Sequence, residues 1–168
     1  MLAMGVVAMV TSGSQTRCSS GDTSLLEDPP AESGGPTFAT SLQLKDASGI
    51  VRTSFQSGEP ITLELTVRNR TAAPVQVDFT SGHQYDFFAF RNGSRTPVWL
   101  WSSTALFTQA ATTLQFAADE SRKFTVTWTP GLDRGAYEAR GALLYDGLHN
   151  NPVAPHELGS TLVAFSIH

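Results

Sequence analysis

From Phe38 onward, apolar and polar residues alternate with a period of two. In "TFATSLQLKD" the residues Phe38, Thr40, Leu42 and Leu44 share one face, and "DASG" at 46–49 reads as a turn. "PITLELTVRN" sets Ile61, Leu63, Leu65 and Val67 against Thr62, Glu64, Thr66 and Arg68, and "APVQVDFT" alternates Val75, Val77 and Phe79. "TTLQF" at 112–116, "RKFTVTWTP" with Phe124, Val126 and Trp128, "AYEARGALLY" and "STLVAFSIH" continue the pattern. Such alternation is that of half-buried strands. Only 102–111, "SSTALFTQAA", suits a helical turn. Eight or nine short strands with almost no helix predict an all-β sandwich or barrel.

One stretch departs from simple alternation. "SGHQYDFFAFRNGSRTPVWLWSS", residues 81–103, places Tyr85, Phe87, Phe88 and Phe90 before a turn and Val98, Trp99, Leu100 and Trp101 after it. Asn92-Gly93 between the two runs predicts a hairpin with a type I′ turn, which needs positive φ at both central positions. Trp99 and Trp101 share one face and Val98 and Leu100 the other, so the segment is apolar on both sides. One pair belongs to the core. The other is expected to be covered by the chain itself, by residues 102–111, rather than left exposed as a partner surface.

"GLDRGAYEARG" selects the sandwich over the barrel. It resembles the tyrosine corner of immunoglobulin-like sandwiches, in which a Tyr two residues before a cysteine bonds back to the chain upstream. Ala139 stands in the place of that cysteine. The expectation is an immunoglobulin-like antiparallel two-sheet β-sandwich without a disulfide. The Tyr137 hydroxyl should reach backbone near Leu132 or Asp133. Leu63, Leu65, Val67, Val77, Phe79, Phe87, Val126, Trp128, Tyr137 and Phe165 should form the core.

Composition narrows the functional classes. The chain has 168 residues, 40% apolar and 15% charged, which can bury a core. A formal net charge of -4 with no basic stripe argues against nucleic acid as partner. Cys18 is the single cysteine, so no internal disulfide can form.

The N-terminal part reads differently from the rest. Residues 1–18 open with a short apolar run, Met1 to Val10, too short to span a bilayer. The run suits a secretory signal, and with Cys18 and the polar stretch behind it the layout resembles a bacterial lipoprotein. The absence of Lys or Arg before the run and the basic Arg17 before Cys18 count against this. Cys18 is a candidate lipidation site, and a membrane is expected to be involved only through such a lipid or through the N-terminal signal. An exported or cell-envelope location is weighed ahead of a cytoplasmic one. Residues 19–35, "SSGDTSLLEDPPAESGG", have linker composition, and residues 36–168 form the expected domain.

Candidate chemistry is sparse. No nucleophile elbow, phosphate loop or zinc-protease motif occurs, so no catalytic residue is assigned and no cofactor is expected. His149 and His156, with Asp146 and Glu157 nearby, match no metal-ligand spacing and read as loop residues. Asp86, set in an apolar run, is expected to pair with an Arg or with backbone N–H groups. Asn69-Arg70-Thr71 and Asn92-Gly93-Ser94 match the glycosylation sequon, but turn chemistry explains them better.

"SGHQYDFFAF", "VWLWSS", "LFTQ" and the Trp before a Gly-x-Tyr turn in "WTPGLDRGAYEARGAL" occur in the order of a known pattern. The chain resembles the BsuPI family, bacterial intracellular proteinase inhibitors of subtilisin-type serine proteases. The likeness spans residues 40–165, with His83 where the family usually has Gln. The resemblance implies a β-sandwich in which Tyr85, Asp86, Phe87, Trp99, Trp101, Trp128 and Tyr137 are structural. It also implies that the partner is a serine protease; the protein itself is expected to be a monomer. A substrate-like inhibitor presents a rigid loop with a large apolar residue. The 145–159 loop is the first expectation, with Leu148 and His149 as candidate contacts, and Leu132 in "PGLDRG" is the second. The rival expectation is a non-inhibitory immunoglobulin-like accessory module of the cell envelope, binding protein or glycan through exposed aromatics.

Overall fold

A computed structural model describes residues 37–144 and 160–168. Ten strands run in chain order: β1 (Phe38–Lys45), β2 (Ser54–Phe55), β3 (Ile61–Asn69), β4 (Val75–Phe79), β5 (Tyr85–Arg91), β6 (Pro97–Leu100), β7 (Thr112–Phe116), β8 (Ser121–Trp128), β9 (Gly135–Leu143) and β10 (Ser160–Ile167). A single 3₁₀ turn, Trp101–Thr104, follows β6. The strands form a three-stranded sheet β1-β3-β8, a five-stranded sheet β2-β10-β9-β5-β6 and a two-stranded ribbon β4-β7.

The period-two pattern places the core where the sequence puts it. Ile61, Leu63, Leu65 and Val67 of β3 are all buried, between partners Leu42 and Leu44 on β1 and Val126 and Phe124 on β8. Phe87, Ala89, Tyr137, Ala139 and Phe165 bury the facing side of the larger sheet. Aromatic pairs close the sandwich between the sheets. Trp99 of β6 stacks on Trp128 of β8 with centroids 4.7 Å apart, and Tyr85 of β5 meets Phe124 of β8 at 4.6 Å. Among the expected core residues, Val126 is half-buried; its strand lies at an edge, where the cover is incomplete.

The tyrosine corner is present. The Tyr137 hydroxyl donates to the Asp133 carbonyl at 2.7 Å, and the ring stacks on Phe165 at 5.6 Å. The architecture is thus an immunoglobulin-like β-sandwich, held without a disulfide because the chain has one cysteine.

Three local expectations need correction. The sandwich is not wholly antiparallel: β2 runs parallel to β10, pairing Ser54 with Ser166 and Phe55 with Ile167. β2 has two residues and no period to read, and Phe55 is held by burial rather than by pattern. The β5–β6 hairpin exists, but its turn is not type I′. Ser94 N–H bonds the Arg91 carbonyl at 2.8 Å, and only Gly93 has positive φ, +78°. Asn92 keeps negative φ while its N–H bonds Ala136 on the neighbouring strand at 3.0 Å, so β9 sets the turn geometry. The strand after the turn ends at Leu100, and Trp101 opens the 3₁₀ turn instead of continuing it.

Asp86 takes the second of its two expected kinds of partner, backbone N–H groups; it is buried, and it makes no ion pair with an Arg among the described residues. Its Oδ1 accepts the N–H groups of Phe87 (2.8 Å) and Ser102 (3.1 Å), and its Oδ2 lies 3.1 Å from His83 Nε2. Backbone donors and an imidazole meet the requirement that a buried carboxylate be hydrogen-bonded.

The second face of β5 is partly self-covered. Phe90 is buried beneath the Arg140 guanidinium, 5.0 Å from the ring centroid, and stacks on Phe88 at 6.1 Å. Trp99 and Trp101 turn toward the aromatic core, whereas Val98 on the opposite face remains 45% exposed.

Candidate functional site

The sequence between β6 and β7, residues 101–111, is an exposed loop tethered at both ends. Its first turn is rich in hydroxyls. Ser103 Oγ donates to the Leu100 carbonyl at 2.6 Å and Thr104 Oγ1 to the Trp101 carbonyl at 2.9 Å. These bonds occupy carbonyls that a one-turn helix leaves open. Ser102 N–H is pinned by Asp86, which ties the turn to β5.

Aromatic contacts fix the next part. The Trp101 indole lies on Tyr85, and Phe107 meets Trp101 edge-on at 5.4 Å. Phe107 also stacks on His83, centroids 4.2 Å apart and planes 25° from parallel. His83 therefore links the Asp86 carboxylate to the Phe107 ring.

The far end of the loop docks on residues 81–84. Gly82 N–H donates to the Thr108 carbonyl at 2.9 Å. A Cβ at Gly82 would stand 2.7 Å from Thr108 Oγ1 and 3.3 Å from Thr108 N, so this approach needs glycine. Thr112 Oγ1 donates to the Ser81 carbonyl at 2.7 Å and accepts Gln84 Nε2 at 3.0 Å.

Between these anchors Leu106 points outward. It is fully exposed (102%), while Ala105 and Phe107 on either side are half-buried. Ala105 has extended backbone, φ -106° and ψ 153°. The in-out-in order is that of an extended segment held at both ends. Neither the N–H nor the C=O of Leu106 or Phe107 makes a hydrogen bond within the described structure.

The residues singled out from sequence divide into three groups. Tyr85, Asp86, Phe87, Trp99, Trp101, Trp128 and Tyr137 come together as the aromatic seam of the sandwich and its capping loop. Leu132 is half-buried against the core, and its carbonyl accepts Ser57 Oγ at 3.1 Å, so the fold already occupies both its side chain and its backbone oxygen. Leu148, His149 and Cys18 lie outside the described residues. Leu106 was not among the candidates. Its segment suggested a helical turn, and a single Leu in a short polar loop carries no periodic signal. The order Phe107-Thr108-Gln109 was the available hint. Among the described residues, no cluster of three metal-ligating side chains occurs, and no helix is long and apolar enough to cross a membrane.

The family profile described as BsuPI, intracellular proteinase inhibitor, matches residues 50–146. The chain belongs to the BsuPI family. The matched region runs from β2 through β9 and contains the whole 101–111 loop with its anchors. No curated protein matches the chain. Several solved structures are similar to this BsuPI chain at low identity. A CARDB domain from Pyrococcus furiosus has 16% identity and a TM-score of 0.45, covering 79% of this chain and 89% of that one. A cycloisomaltooligosaccharide glucanotransferase from Paenibacillus sp. has 16% identity and a TM-score of 0.43; 74% of this chain is covered, but only 13% of the enzyme. A β-glucosidase from Erythrobacter marinus has 7% identity and a TM-score of 0.44, covering 78% of this chain and 15% of that one.

Proposed function

We propose that this BsuPI domain inhibits a serine protease of the subtilisin type, acting as a binding protein and not as an enzyme. The observation that carries the reading is the match to a proteinase-inhibitor family over residues 50–146. The fold supplies what an inhibitor needs in physical terms. A disulfide-free sandwich with buried aromatic pairs is a rigid platform, and a loop held by it loses little conformational freedom on docking.

The test is inhibition of a panel of subtilisin-, chymotrypsin- and trypsin-type proteases by the purified chain. Saturable inhibition of a subtilisin-type member, with the domain surviving uncut, is the expected result. A panel left fully active would overturn the reading.

A further inference from the structure

We infer that the 101–111 loop is the surface that enters the protease cleft, with Leu106 filling an apolar primary specificity pocket. This rests on the inhibitor reading above and assigns the contact site within it. Serine proteases of this class bind an extended segment by pairing with its backbone, as an added strand, while one side chain fills a pocket. Three conditions follow for a substrate-like loop: an outward apolar side chain, open backbone groups beside it, and anchors that hold it extended.

Leu106 meets all three. It is fully exposed at 102%, and the N–H and C=O groups of residues 106 and 107 make no hydrogen bond among the described residues. On one side Ser102 is held by Asp86, and on the other Phe107 is stacked on His83 and Thr108 is bonded to Gly82.

Three other aliphatic residues at turns do not meet the conditions. Ile50 is 61% exposed, but its N–H and C=O both bond Asp46 within the turn. Val51, 53% exposed, is bridged to Lys45. Leu132 is half-buried with its carbonyl taken by Ser57.

The experiment compares the full chain with Leu106→Asp, Leu106→Lys and Leu148→Asp, measuring inhibition of a subtilisin-type and a trypsin-type protease beside the thermal midpoint. Leu106→Asp should weaken inhibition of the subtilisin-type protease at least tenfold, about 1.4 kcal/mol, with the midpoint unchanged. Leu106→Lys should lose the same inhibition and gain inhibition of the trypsin-type protease, whose pocket accepts a cation; a misfolded variant could not show that gain. Wild-type inhibition that persists in Leu106→Asp would overturn this loop while leaving the inhibitor reading intact, and a loss confined to Leu148→Asp would move the site to the 145–159 loop. A wild-type chain that inhibits neither protease would overturn the inhibitor reading, and this assignment with it.

Discussion

The ring of Tyr85 lies flat against the indole of Trp101, centroids 4.8 Å apart and planes 6° from parallel. The contact joins the first residue of β5 to the first residue of the 3₁₀ turn, and Trp101 in turn carries Phe107. Sheet, turn and loop are thus coupled through one stack. Trp101→Ala should destabilise the domain by about 3 kcal/mol in urea denaturation, the low end for removing a large aromatic because Trp101 is only half-buried. It should also free the loop, so that residual inhibition falls and cleavage after Leu106 accelerates. Trp101→Phe, which keeps a ring against Tyr85, should lose much less of either.

Burial pushes the Tyr85 phenol above its ordinary pKa of 10.0. Between the ordinary and the raised value the folded state holds a proton that the unfolded chain has released. Stability is therefore unaffected below pH 10.0 and falls as pH rises through the folded value. Chemical denaturation across the alkaline range should show a steeper loss for wild type than for Tyr85→Phe.

Glu64 sits between two lysines on the outer face of the smaller sheet, 2.7 Å from Lys45 Nζ and 3.0 Å from Lys123 Nζ. The Lys45 hydrogen bond, then that of Lys123, lowers its pKa below the ordinary 4.5, against an opposing effect of burial. A depressed carboxylate stabilises the fold above the unfolded value, and that contribution disappears as pH falls through the folded one. Glu64→Gln should cost no more than about 1 kcal/mol at neutral pH, because the lysines are partly solvated. Its acid limb should be flatter than that of wild type, as read from denaturation midpoints against pH.

Tyr137→Phe removes the bond to the Asp133 carbonyl and leaves the ring packed on Phe165. The expected loss is about 1–2 kcal/mol, that of one buried hydrogen bond. An unchanged denaturation midpoint would show that the corner contributes nothing to stability.

Asn69 ends β3 fully buried, and its amide is saturated. Nδ2 donates to the Ala73 (2.8 Å) and Ala117 (2.9 Å) carbonyls, while Oδ1 accepts the Thr71 N–H (2.9 Å) and hydroxyl (2.8 Å). Asn69→Ala should cost about 3 kcal/mol, because the four hydrogen bonds of one buried amide are lost at once. Asn69→Asp should not rescue it, since a carboxylate cannot donate to two carbonyls. The sequon at Asn69 is thus a turn clip, as its position at a strand end suggested.

Much of the fold is written in the sequence because its signals are local. Strand periodicity in β1, β3, β4, β8 and β9 needs only neighbouring residues, since alternate side chains point to opposite faces whatever the strand pairs with. The tyrosine corner was equally legible, because its bond spans four residues of chain. The family motifs fall into the same class, being an ordered set of bulky residues that the sandwich brings into one aromatic seam. Tertiary structure alone decided the rest. It set the parallel pairing of β2, whose two residues have no period, and the turn at Asn92-Gly93, which the Asn92 bond to β9 overrode. It also gave Asp86 one of its donors, the Ser102 N–H, from a turn sixteen residues away. Leu106 is the clearest case. Whether a lone leucine is core or surface depends on which distant groups hold its neighbours, and Gly82, His83 and Asp86 do so only once β5 and the loop are folded together.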